Sequence, residues 1–276
     1  MKTMLILLLS SIIVFWNVEN FFMPGNPSAK PGWTEGRFYT KCRGISKIIF
    51  KIADREGRIP DVVAFSEVGC DTVLRRLIST TPLRKCGYRI VHFESPDHRG
   101  IDCALIYRAS TMRLLESKPC HLRDSSGNIL PTRDILLSIF RTAEGDTLSL
   151  LVNHHPSKVG AWSSGRRKTA MAVMHSVCDS LVSAGYGRIL SIGDFNDSEL
   201  FPEGRGTIKY AGRWQKIDGV FPIGFDAFRE EVFEDESLLC EDRTRSGLMP
   251  KRTFIGPVYK GGISDHLPII ISIFEN

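Results

Sequence analysis

Polar residues that can bind a cation or move a proton stand at the ends of six apolar runs in this chain. All are Asn, Asp, Glu or His, and in chain order they are Asn17 and Glu19, Glu67, Asn153-His154-His155, Asp194 and Asn196, Asp218, and Asp265-His266. In layered α/β proteins, ligands commonly bind where strand ends converge. We therefore interpret these residues as one site rather than as scattered solubility residues.

The residue types restrict the chemistry of such a site. Carboxylate and amide oxygens are hard ligands that suit Mg²⁺ or Mn²⁺. Two histidines beside several carboxylates can position and ionise a water molecule and stabilise an anionic transition state. The sequence contains no serine nucleophile elbow, phosphate-binding loop or dinucleotide fingerprint. Metal-assisted hydrolysis with water as the nucleophile is the chemistry that remains.

Short apolar runs predict the strands that must carry these residues. They lie at 12–17, 61–68, 88–94, 102–108, 132–141, 147–155, 187–197, 214–223 and 264–274. Helical spacing predicts three helices, over 38–53, 72–78 and 163–185. The first has the apolar stripe Phe38, Cys42, Ile45, Ile49 and Ile52 with lysines opposite, and the third has the stripe Ala170, Val173, Val177 and Leu181. This mixture indicates packed α/β layers.

Composition indicates one folded domain and a mildly basic chain. The chain has 276 residues, 42% of them apolar, and no repeat or linker divides it. Its 36 Lys and Arg against 31 Asp and Glu give a net charge of +5, which suits a phosphate ester. The seven cysteines include no CxxC pair, so we expect buried thiols rather than a disulfide framework.

The N-terminal apolar run raises a question of targeting. Residues 4–16 are nearly all apolar, too few for a spanning helix but of the length of a signal-peptide core. We expect residues 1–10 to be a signal or apolar lead-in and residues 11–276 to be a single catalytic domain. An exported protein without a transmembrane span is the preferred interpretation.

Seven motifs taken together resemble a known series. In order, WNVENFF, FSEV, RGIDCALIY, NHHPSK, IGDFND, IDGVF and ISDHLPI resemble those of the endonuclease/exonuclease/phosphatase superfamily, across residues 14–274. That group includes pancreatic-type DNases, abasic-site endonucleases, inositol polyphosphate 5-phosphatases and sphingomyelinases. The resemblance implies a DNase I-like fold, a four-layered α/β sandwich with two mixed β-sheets packed face to face and helices outside.

The resemblance also implies a role for each matching position. The implied Mg²⁺ or Mn²⁺ ligands are Glu67, Asn17 and Asp265, and the implied catalytic residues are His154, Asp194, Asn196, Asp218 and His266. Asp194 and Asn196, two apart and so on one side of an extended segment, would orient the attacking water and hold the phosphate. Asp218 would fix the tautomer of His266 and raise its basicity. Either Asp194 or the His266–Asp218 pair would remove the proton.

Several further positions are expected to assist. His154 rather than His155 would donate to a phosphate oxygen, because it directly follows Asn153 and neighbours on a strand face opposite ways. We leave Glu19 as structural. The expected contacts to the substrate phosphate are Arg99, Asp102, Tyr107 and Arg133, with Asp102 pairing with His154 and with the run GRRK at 165–168 as a further candidate.

The resemblance leaves the substrate open, and DNA is our prediction. Basic residues after Lys158 and within 204–216 would follow a phosphate backbone, with Trp162 or Trp214 available for stacking. We expect a monomeric DNA endonuclease. The alternatives are a phosphoesterase for small substrates or lipid headgroups, such as a sphingomyelinase-like or inositol polyphosphate phosphatase-like enzyme, and a catalytically inactive binding domain.

Overall fold

Two β-sheets at the centre of the protein carry its polar strand ends. The computed structural model describes residues 8–158 and 163–275, and these form three α-helices, two short 3-10 helices (Pro82–Lys85 and Glu236–Leu238) and seventeen strands. In chain order the helices and strands are β1 (Leu8–Phe21), α1 (Glu35–Glu56), β2 (Val62–Val68), α2 (Asp71–Ser79), β3 (Tyr88–His92), β4 (Asp102–Arg108), β5 (Met112–Cys120), β6 (Ile135–Thr142), β7 (Thr147–His154), α3 (Ser163–Ser183), β8 (Ile189–Asp194), β9 (Ile208–Tyr210), β10 (Arg213–Gln215), β11 (Asp218–Ile223), β12 (Phe228–Val232), β13 (Leu239–Glu241), β14 (Leu248–Pro250), β15 (Phe254–Ile255), β16 (Val258–Tyr259) and β17 (Ile269–Glu275).

Eleven of these strands form the two large sheets. The first has the order β12-β17-β1-β2-β4-β3 and the second the order β11-β8-β7-β6-β5. Each sheet is mixed, since β1 pairs with β2 in parallel and β7 with β8 in parallel, whereas their other pairings are antiparallel.

The side-chain alternation of the strands divides the core into layers. In β1, Ile12, Val14 and Trp16 pack beneath α1 and α2, while Ile13 and Phe15 lie between the two sheets. A third cluster packs α3 against the outer face of the second sheet. The layers are therefore helices, sheet, sheet and helix, and the predicted four-layered sandwich is confirmed. Each fully buried large apolar side chain contributes about 1.5–3 kcal/mol, so the inter-sheet cluster holds the two sheets in fixed relation.

The helices follow their predicted stripes with one difference. The stripe of α1 is buried throughout, and the helix begins after Thr34, which accepts from the Arg37 N–H, and ends at Gly57 in the left-handed region (φ 76°). In α3 the predicted Val173 and Val177 are only partly buried, and the structure buries Met174 and Cys178 instead. The helix is rotated because these flexible, polarisable side chains fill the space over the sheet.

The N-terminal expectation is only partly visible in the structure. Residues 1–7 of the predicted lead-in lie outside the described residues, and residues 8–10 already belong to β1, where Leu8 pairs with Glu275 and Leu9 with Phe274. Among the helices that the structure describes, none is long and apolar enough to cross a bilayer. All seven cysteines are free thiols; Cys42, Cys103 and Cys178 are buried as expected, whereas the other four are only partly buried.

Candidate active site

Strand directions bring the polar ends of the two sheets together. Because β1 and β2 are parallel, Asn17 and Glu67 lie at the same end of the first sheet. The antiparallel β17 starts at that end, just after His266. We use the name catalytic end for this end of the two sheets, where β1, β2, β7 and β8 finish.

The second sheet supplies residues to the same edge. The parallel pairing of β7 and β8 places His154 beside Asp194. The antiparallel β11 begins with Asp218, which pairs directly with Asp194. Residues that are far apart in the sequence therefore converge because of strand register.

The carboxylate of Asp194 is the centre of this arrangement. Its Oδ2 lies 3.0 Å from Nδ2 of Asn17 and 3.7 Å from Nε2 of both His154 and His266. Its Oδ1 accepts the backbone N–H of Asn196 at 2.9 Å. Burial, reinforced by the charge of Asp218, raises the pKa of Asp194 to about 7. This carboxylate can therefore exchange a proton near neutral pH.

His266 is fixed on both sides of its ring. Its Nδ1 lies 2.8 Å from Oδ2 of Asp218, which leaves Nε2 facing Asp194. The Ser264 hydroxyl accepts the His266 backbone N–H at 3.0 Å and donates to the Asn17 carbonyl at 2.6 Å, tying the two strands together. Burial opposes the imidazolium cation, but Asp218 and Asp194 outweigh it and raise the His266 pKa well above its ordinary value.

Glu67 is presented by a strained backbone. Its φ is +64°, in the left-handed region, and the pairing register of β2 shifts between Phe65 and Val68. Such a conformation costs about 1 kcal/mol or more and is typical of functional sites, where a bulge re-aims a side chain. The Asn20 N–H donates to Oε2 of Glu67 at 2.7 Å, and Oε1 lies 3.9 Å from Nε2 of His154. One carboxylate oxygen thus faces the centre.

Asn17 contacts both carboxylates through its amide nitrogen. Its Nδ2 lies 3.0 Å from Asp194 and 3.5 Å from Glu67, while its Oδ1 accepts the Glu19 N–H at 3.0 Å. The resemblance implied a metal ligand here. In this orientation its Nδ2 orients the two carboxylates, and its Oδ1, which accepts one hydrogen bond, keeps a lone pair that could bind a cation.

The positively charged side chain of Arg252 borders the centre on one side. Nε of Arg252 lies 3.1 Å from Oε1 of Glu19, and its terminal nitrogen lies 2.8 Å from Oδ2 of Asp265. The Thr253 N–H donates to the other Glu19 oxygen at 2.7 Å. Sequence reasoning missed Arg252, since no local pattern ties it to a residue 233 positions earlier.

Lys41 is a second functional candidate that sequence reasoning missed. Its Nζ donates to the Glu19 carbonyl at 2.6 Å and to the Thr253 hydroxyl at 2.9 Å, and its side chain is buried. Burial lowers its pKa to about 8. The expectation of lysines opposite the α1 stripe is wrong here. The sequence does contain a signal for the burial of Lys41. This residue is three positions after Phe38 and four before Ile45, so it lies on the same face of the helix as they do.

The two adjacent histidines face opposite ways. His154 faces Glu67 and Asp194, whereas the ring of His155 packs edge-on against Phe195 with centroids 5.0 Å apart. Burial, with Arg133 nearby, lowers the pKa of His154 well below its ordinary value and that of His155 to about 3. Both rings are therefore neutral at pH 7.

The sequence matches the model of the Endonuclease/Exonuclease/phosphatase family over residues 12–202. The chain belongs to this family.

Several solved structures share the fold of this chain. They include truncated TDP2 from Caenorhabditis elegans (TM-score 0.61, 13% identity, covering 96% of this chain and 98% of that one). The human Nocturnin catalytic domain with bound sulfate anion is similar (TM-score 0.61, 16% identity, 96% and 94%), as is an endonuclease/exonuclease/phosphatase family protein from Bacteroides thetaiotaomicron (TM-score 0.60, 15% identity, 97% and 98%). No curated protein matches the sequence significantly.

Two of the expected phosphate contacts of this family member lie near the centre. Arg133 is buried, bonded to Oδ2 of Asp97 at 3.2 Å and to the His155 carbonyl at 2.9 Å. Arg99 is partly exposed, with Nε 3.7 Å from Asp97. Both charges help to lower the pKa of His154, which places them within electrostatic reach of it.

The other two contacts require correction. Tyr107 pairs with Val62 at the opposite end of β2 from Glu67, and its ring packs against Phe140 with centroids 5.2 Å apart. At about 3.3 Å per residue, this end is about 15 Å from the catalytic end. Asp102 does not pair with His154 but binds Nε2 of His92 at 3.0 Å and the Ser95 N–H at 2.9 Å.

The Asp194–Asn196 pair is close for a different reason than expected. The segment is not extended, because Asn196 has φ +52° and turns back so that its N–H reaches Oδ1 of Asp194. Its Nδ2 donates to the His155 carbonyl at 2.9 Å. The run GRRK lies in the first turns of α3, where Arg167 donates to the Ser157 carbonyl at 3.1 Å.

The residues at the centre fit a hard divalent cation. Glu67, Asp194 and Asp265 offer carboxylate oxygens, and one ligand atom from each of Asp194, Asp218 and His266 lies within 4.8 Å of the others. Oxygen-rich sites of this kind suit Mg²⁺ or Mn²⁺. The metal dependence of the family is thus matched by the donor set of this chain.

Proposed function

We propose that the protein is a Mg²⁺- or Mn²⁺-dependent phosphodiester hydrolase that acts on DNA as an endonuclease. The observation that supports it most directly is the placement of one buried carboxylate, Asp194, 3.7 Å from two imidazoles and within the same cluster as Glu67. This is the arrangement needed to take a proton from a water molecule while donors face a phosphate.

Glu67, Asp265 and Asn17 would hold the ion. The bound cation would neutralise negative charge that develops on the phosphate. Asn17 keeps the carboxylates of Glu67 and Asp194 in place through its amide N–H groups.

The proton-transfer roles follow from the charge states. With a pKa of about 7, Asp194 is partly ionised at neutral pH and can accept the proton of the attacking water. His266 has a raised pKa and stays protonated, so its Nε2–H donates to a phosphate oxygen. Neutral His154 supplies a second donor. We therefore assign proton acceptance to Asp194 and charge stabilisation to the histidines.

Three observations support DNA as the substrate. The net charge is +5. The hairpin β9–β10 adjoins the centre, since Ile208 pairs with His266, and its tip exposes Tyr210 (68%) beside basic residues. TDP2 from D. rerio, which has the same fold (TM-score 0.59, 16% identity, 97% of this chain and 99% of that one), was solved in complex with a single-strand DNA product.

Of the aromatic residues expected to stack on DNA, Trp214 is covered, and Tyr210 of the same hairpin is exposed instead. Trp162 lies outside the described residues, and the Trp214 ring is covered by the Arg205 guanidinium at 4.5 Å. Tyr210 is the aromatic side chain of this hairpin with a free face, and base stacking on such a side chain contributes about 1–3 kcal/mol per base.

The test is hydrolysis of bis(4-nitrophenyl) phosphate and nicking of a closed circular plasmid, each with Mg²⁺, with Mn²⁺ and with EDTA. We expect metal-dependent hydrolysis of both substrates, abolished by EDTA and by Asp194→Asn. Glu144→Gln, at an exposed carboxylate in the turn between β6 and β7, is the matched control and should retain activity.

Salt dependence separates the substrate classes. The logarithm of the DNA-binding constant should fall linearly with the logarithm of salt concentration. For each tenfold rise in salt, it should fall by about 0.9 for every phosphate that the protein neutralises. Hydrolysis of bis(4-nitrophenyl) phosphate without plasmid nicking, with salt-independent binding, would instead favour a small-substrate or lipid-headgroup phosphoesterase. No hydrolysis of any phosphodiester would favour a binding domain.

A further inference from the structure

A groove of about 470 Å³ opens between the hairpin β13–β14 and the hairpin β15–β16. We call it the basic groove. The charged residues that line it are four basic ones, Arg243, Lys251, Arg252 and Lys260, and two acidic ones, Glu241 and Asp242. No residue assigned to the metal or to proton transfer lines it.

Three of the four basic side chains in the groove carry unpaired charge. Arg243, Lys251 and Lys260 form no ion pair and no side-chain hydrogen bond with any residue of 8–158 or 163–275. Arg243 and Lys260 are exposed, and Lys251 is half-buried. We do not count Arg252 as an anion-binding group, because two carboxylates beside the catalytic centre already hold its guanidinium.

The acidic residues of the groove offset only part of this charge. Asp242 forms an ion pair with Nζ of Lys209 at 3.0 Å, and both side chains are largely buried. Glu241 is exposed, and within the described part of the chain it has no cationic partner. The groove therefore holds three unpaired cations and one unpaired carboxylate, so its net field attracts anions.

Backbone contacts hold Lys251 and Lys260 in fixed positions along one wall. The Lys251 N–H donates to the Leu238 carbonyl at 2.7 Å, and the Lys260 N–H donates to the Thr253 carbonyl at 2.9 Å. A Cβ on Gly262 would clash with the Lys251 carbonyl oxygen, so only glycine lets the two segments approach this closely. The backbone that carries these two lysines is thus preorganised.

The opposite wall is tied to the hairpin β9–β10. Lys209 of β9 donates to the Ser246 carbonyl at 2.5 Å in addition to its ion pair with Asp242. Oδ1 of Asp242 accepts the Thr244 N–H at 3.0 Å, which fixes the turn that carries Arg243. The basic groove is therefore continuous with the hairpin that we assign to DNA.

One end of the basic groove lies beside the catalytic centre. Arg252 lines the groove, and its terminal nitrogen lies 2.8 Å from Oδ2 of Asp265, a proposed metal ligand. A chain of phosphates that extends from the metal past Arg252 would therefore enter the groove.

We propose that the basic groove binds the backbone phosphates of DNA next to the scissile phosphate. Arg243, Lys251 and Lys260 each neutralise one of these phosphates. An anionic lipid surface matches the charge of the groove but not its shape, because a flat surface would reach only the rim. This inference rests on the proposed function as a nuclease and specifies where the substrate extends beyond the metal.

The test measures how salt weakens the binding of a fluorescently labelled DNA duplex, by anisotropy and in EDTA so that no strand is cut. The wild type is compared with the triple variant Arg243→Gln, Lys251→Gln, Lys260→Gln. Each lost phosphate contact should reduce the slope of log binding constant against log salt by about 0.9, and so by about 2.7 in total. An unchanged slope, or a wild type that does not bind DNA, would overturn the proposal.

The matched control removes three exposed cations from the opposite end of the two sheets. Strands β3 and β5 run toward the catalytic end, so Lys85, Arg89 and Arg113 lie away from it. Replacing these three by Gln changes the net charge by the same amount and should leave the salt slope at the wild-type value. Equal losses in the two triple variants would mean that DNA responds only to net charge, which would overturn the proposal.

Glu241→Gln tests the groove with the opposite sign. It removes the unpaired carboxylate, so DNA should bind about twofold more tightly at low salt. Glu144→Gln makes the same charge change at the β6–β7 turn and should leave the affinity unchanged. Unchanged or weaker binding by Glu241→Gln would contradict a phosphate path through the groove. If the triple variant melts at a lower temperature than the wild type, Lys260→Gln alone replaces it, with an expected loss of slope of about 0.9.

The groove and the hydrolase activity fail in different ways. DNA binding that depends on the three cations, without metal-dependent hydrolysis, would keep the groove and remove the proposed activity. Hydrolysis with a wild-type salt slope in the triple variant would keep the activity and remove the groove. An unchanged DNA slope, together with loss of binding to vesicles of phosphatidylcholine and phosphatidylserine, would assign the groove to a membrane surface instead.

Discussion

Nδ1 of His266 and Oδ2 of Asp218 lie 2.8 Å apart, with both side chains buried where the two sheets meet. His266 lies shortly before β17 of the first sheet, and Asp218 is the first residue of β11 in the second sheet. The hydrogen bond therefore crosses between the sheets and depends on their packing. Asp218 holds the Nδ1 proton, which leaves Nε2 to face Asp194.

Replacing Asp218 by Asn should lower activity with little change in substrate binding. The amide cannot support the imidazolium, so the His266 pKa falls and the ring loses its proton at neutral pH. We expect kcat for bis(4-nitrophenyl) phosphate to fall by about a hundredfold or more. The pH profile of the remaining activity should move to lower pH, because the His266 ring is protonated only at lower pH while Asp194 must stay ionised.

The matched control is Asp226→Asn, an exposed aspartate in the turn after β11, which should leave kcat unchanged. A pH profile of Asp218→Asn parallel to that of the wild type would show that Asp218 acts only in folding.

Replacing Asp194 by Asn should stabilise the metal-free protein at high pH while abolishing hydrolysis. Because burial raises the Asp194 pKa from 3.8 to about 7, the folded wild type holds a proton that the unfolded chain releases. Wild-type stability from this group is complete below pH 3.8 and is lost as the pH rises through 7. The Asn side chain does not ionise, so the variant should be more stable than the wild type by about 1–3 kcal/mol at pH 8 and not at pH 4.

Urea unfolding in EDTA at the two pH values measures this difference. Saturating Mg²⁺ should remove the advantage of the variant, because the cation stabilises the ionised wild-type carboxylate. The same stability difference at pH 4 and pH 8 would contradict a raised pKa for Asp194.

The strand ends of the site could be predicted because buried central strands have a distinct sequence pattern. Runs such as VVAFS and ILSI are continuously apolar, and the polar residue that ends each one is conspicuous. The edge strands β5 and β12 are not predicted, because MRLLESKPC and FREEV together bury only Met112 and show no apolar run. The edge strands β3 and β11 are predicted, so local pattern identifies strands with an apolar run and misses edge strands that lack one.

Long-range contacts limit what can be predicted about individual roles. The segment RGIDCALIY correctly gives a strand, but its letters do not say which end reaches the catalytic end, and Tyr107 was placed there wrongly. Arg252 acquires its position only by bonding Glu19 and Asp265 after folding. Strain is also invisible in sequence, since φ +64° at Glu67 results from the register shift in β2.

Replacing Glu67 by Gln should weaken metal binding specifically. The variant keeps the size and the acceptor for the Asn20 N–H but removes the charge that faces the centre. We expect the Mn²⁺ concentration for half-maximal activity to rise more than about tenfold. The measurement is activity titrated with Mn²⁺, with Glu144→Gln, at the exposed β6–β7 turn, as the control. An unchanged Mn²⁺ requirement would exclude Glu67 as a ligand.

Replacing Lys41 by Met should disturb the position of Glu67 indirectly, through the turn at Glu19 and Asn20. The ammonium group holds the Glu19 carbonyl and the Thr253 hydroxyl, and the next residue, Asn20, donates to Glu67. Removing it leaves two buried acceptors without a donor, which costs about 1–3 kcal/mol. We expect lower stability together with weaker Mn²⁺ activation, because the turn that fixes Glu67 loosens.

The stability that is lost in Lys41→Met should increase with pH. Burial lowers the Lys41 pKa from 10.5 to about 8, so between these values the unfolded chain binds more protons than the folded protein. Wild-type stability from this group rises with pH over that window, and the uncharged Met cannot follow it. The difference in unfolding free energy between wild type and Lys41→Met should therefore grow from pH 7 to pH 10.

Lys51→Met is the matched control on the same helix. Lys51 forms a half-buried ion pair with Asp235 at 2.6 Å, far along α1 from the Glu19 turn. Because solvent still screens this pair, it should contribute about 1 kcal/mol, and the variant should lose little stability and keep its Mn²⁺ activation curve. Equal effects of the two substitutions on stability and on Mn²⁺ activation would mean that Lys41 only stabilises α1. A shift in Mn²⁺ activation that is confined to Lys41→Met would show that this buried lysine positions the metal-binding carboxylate.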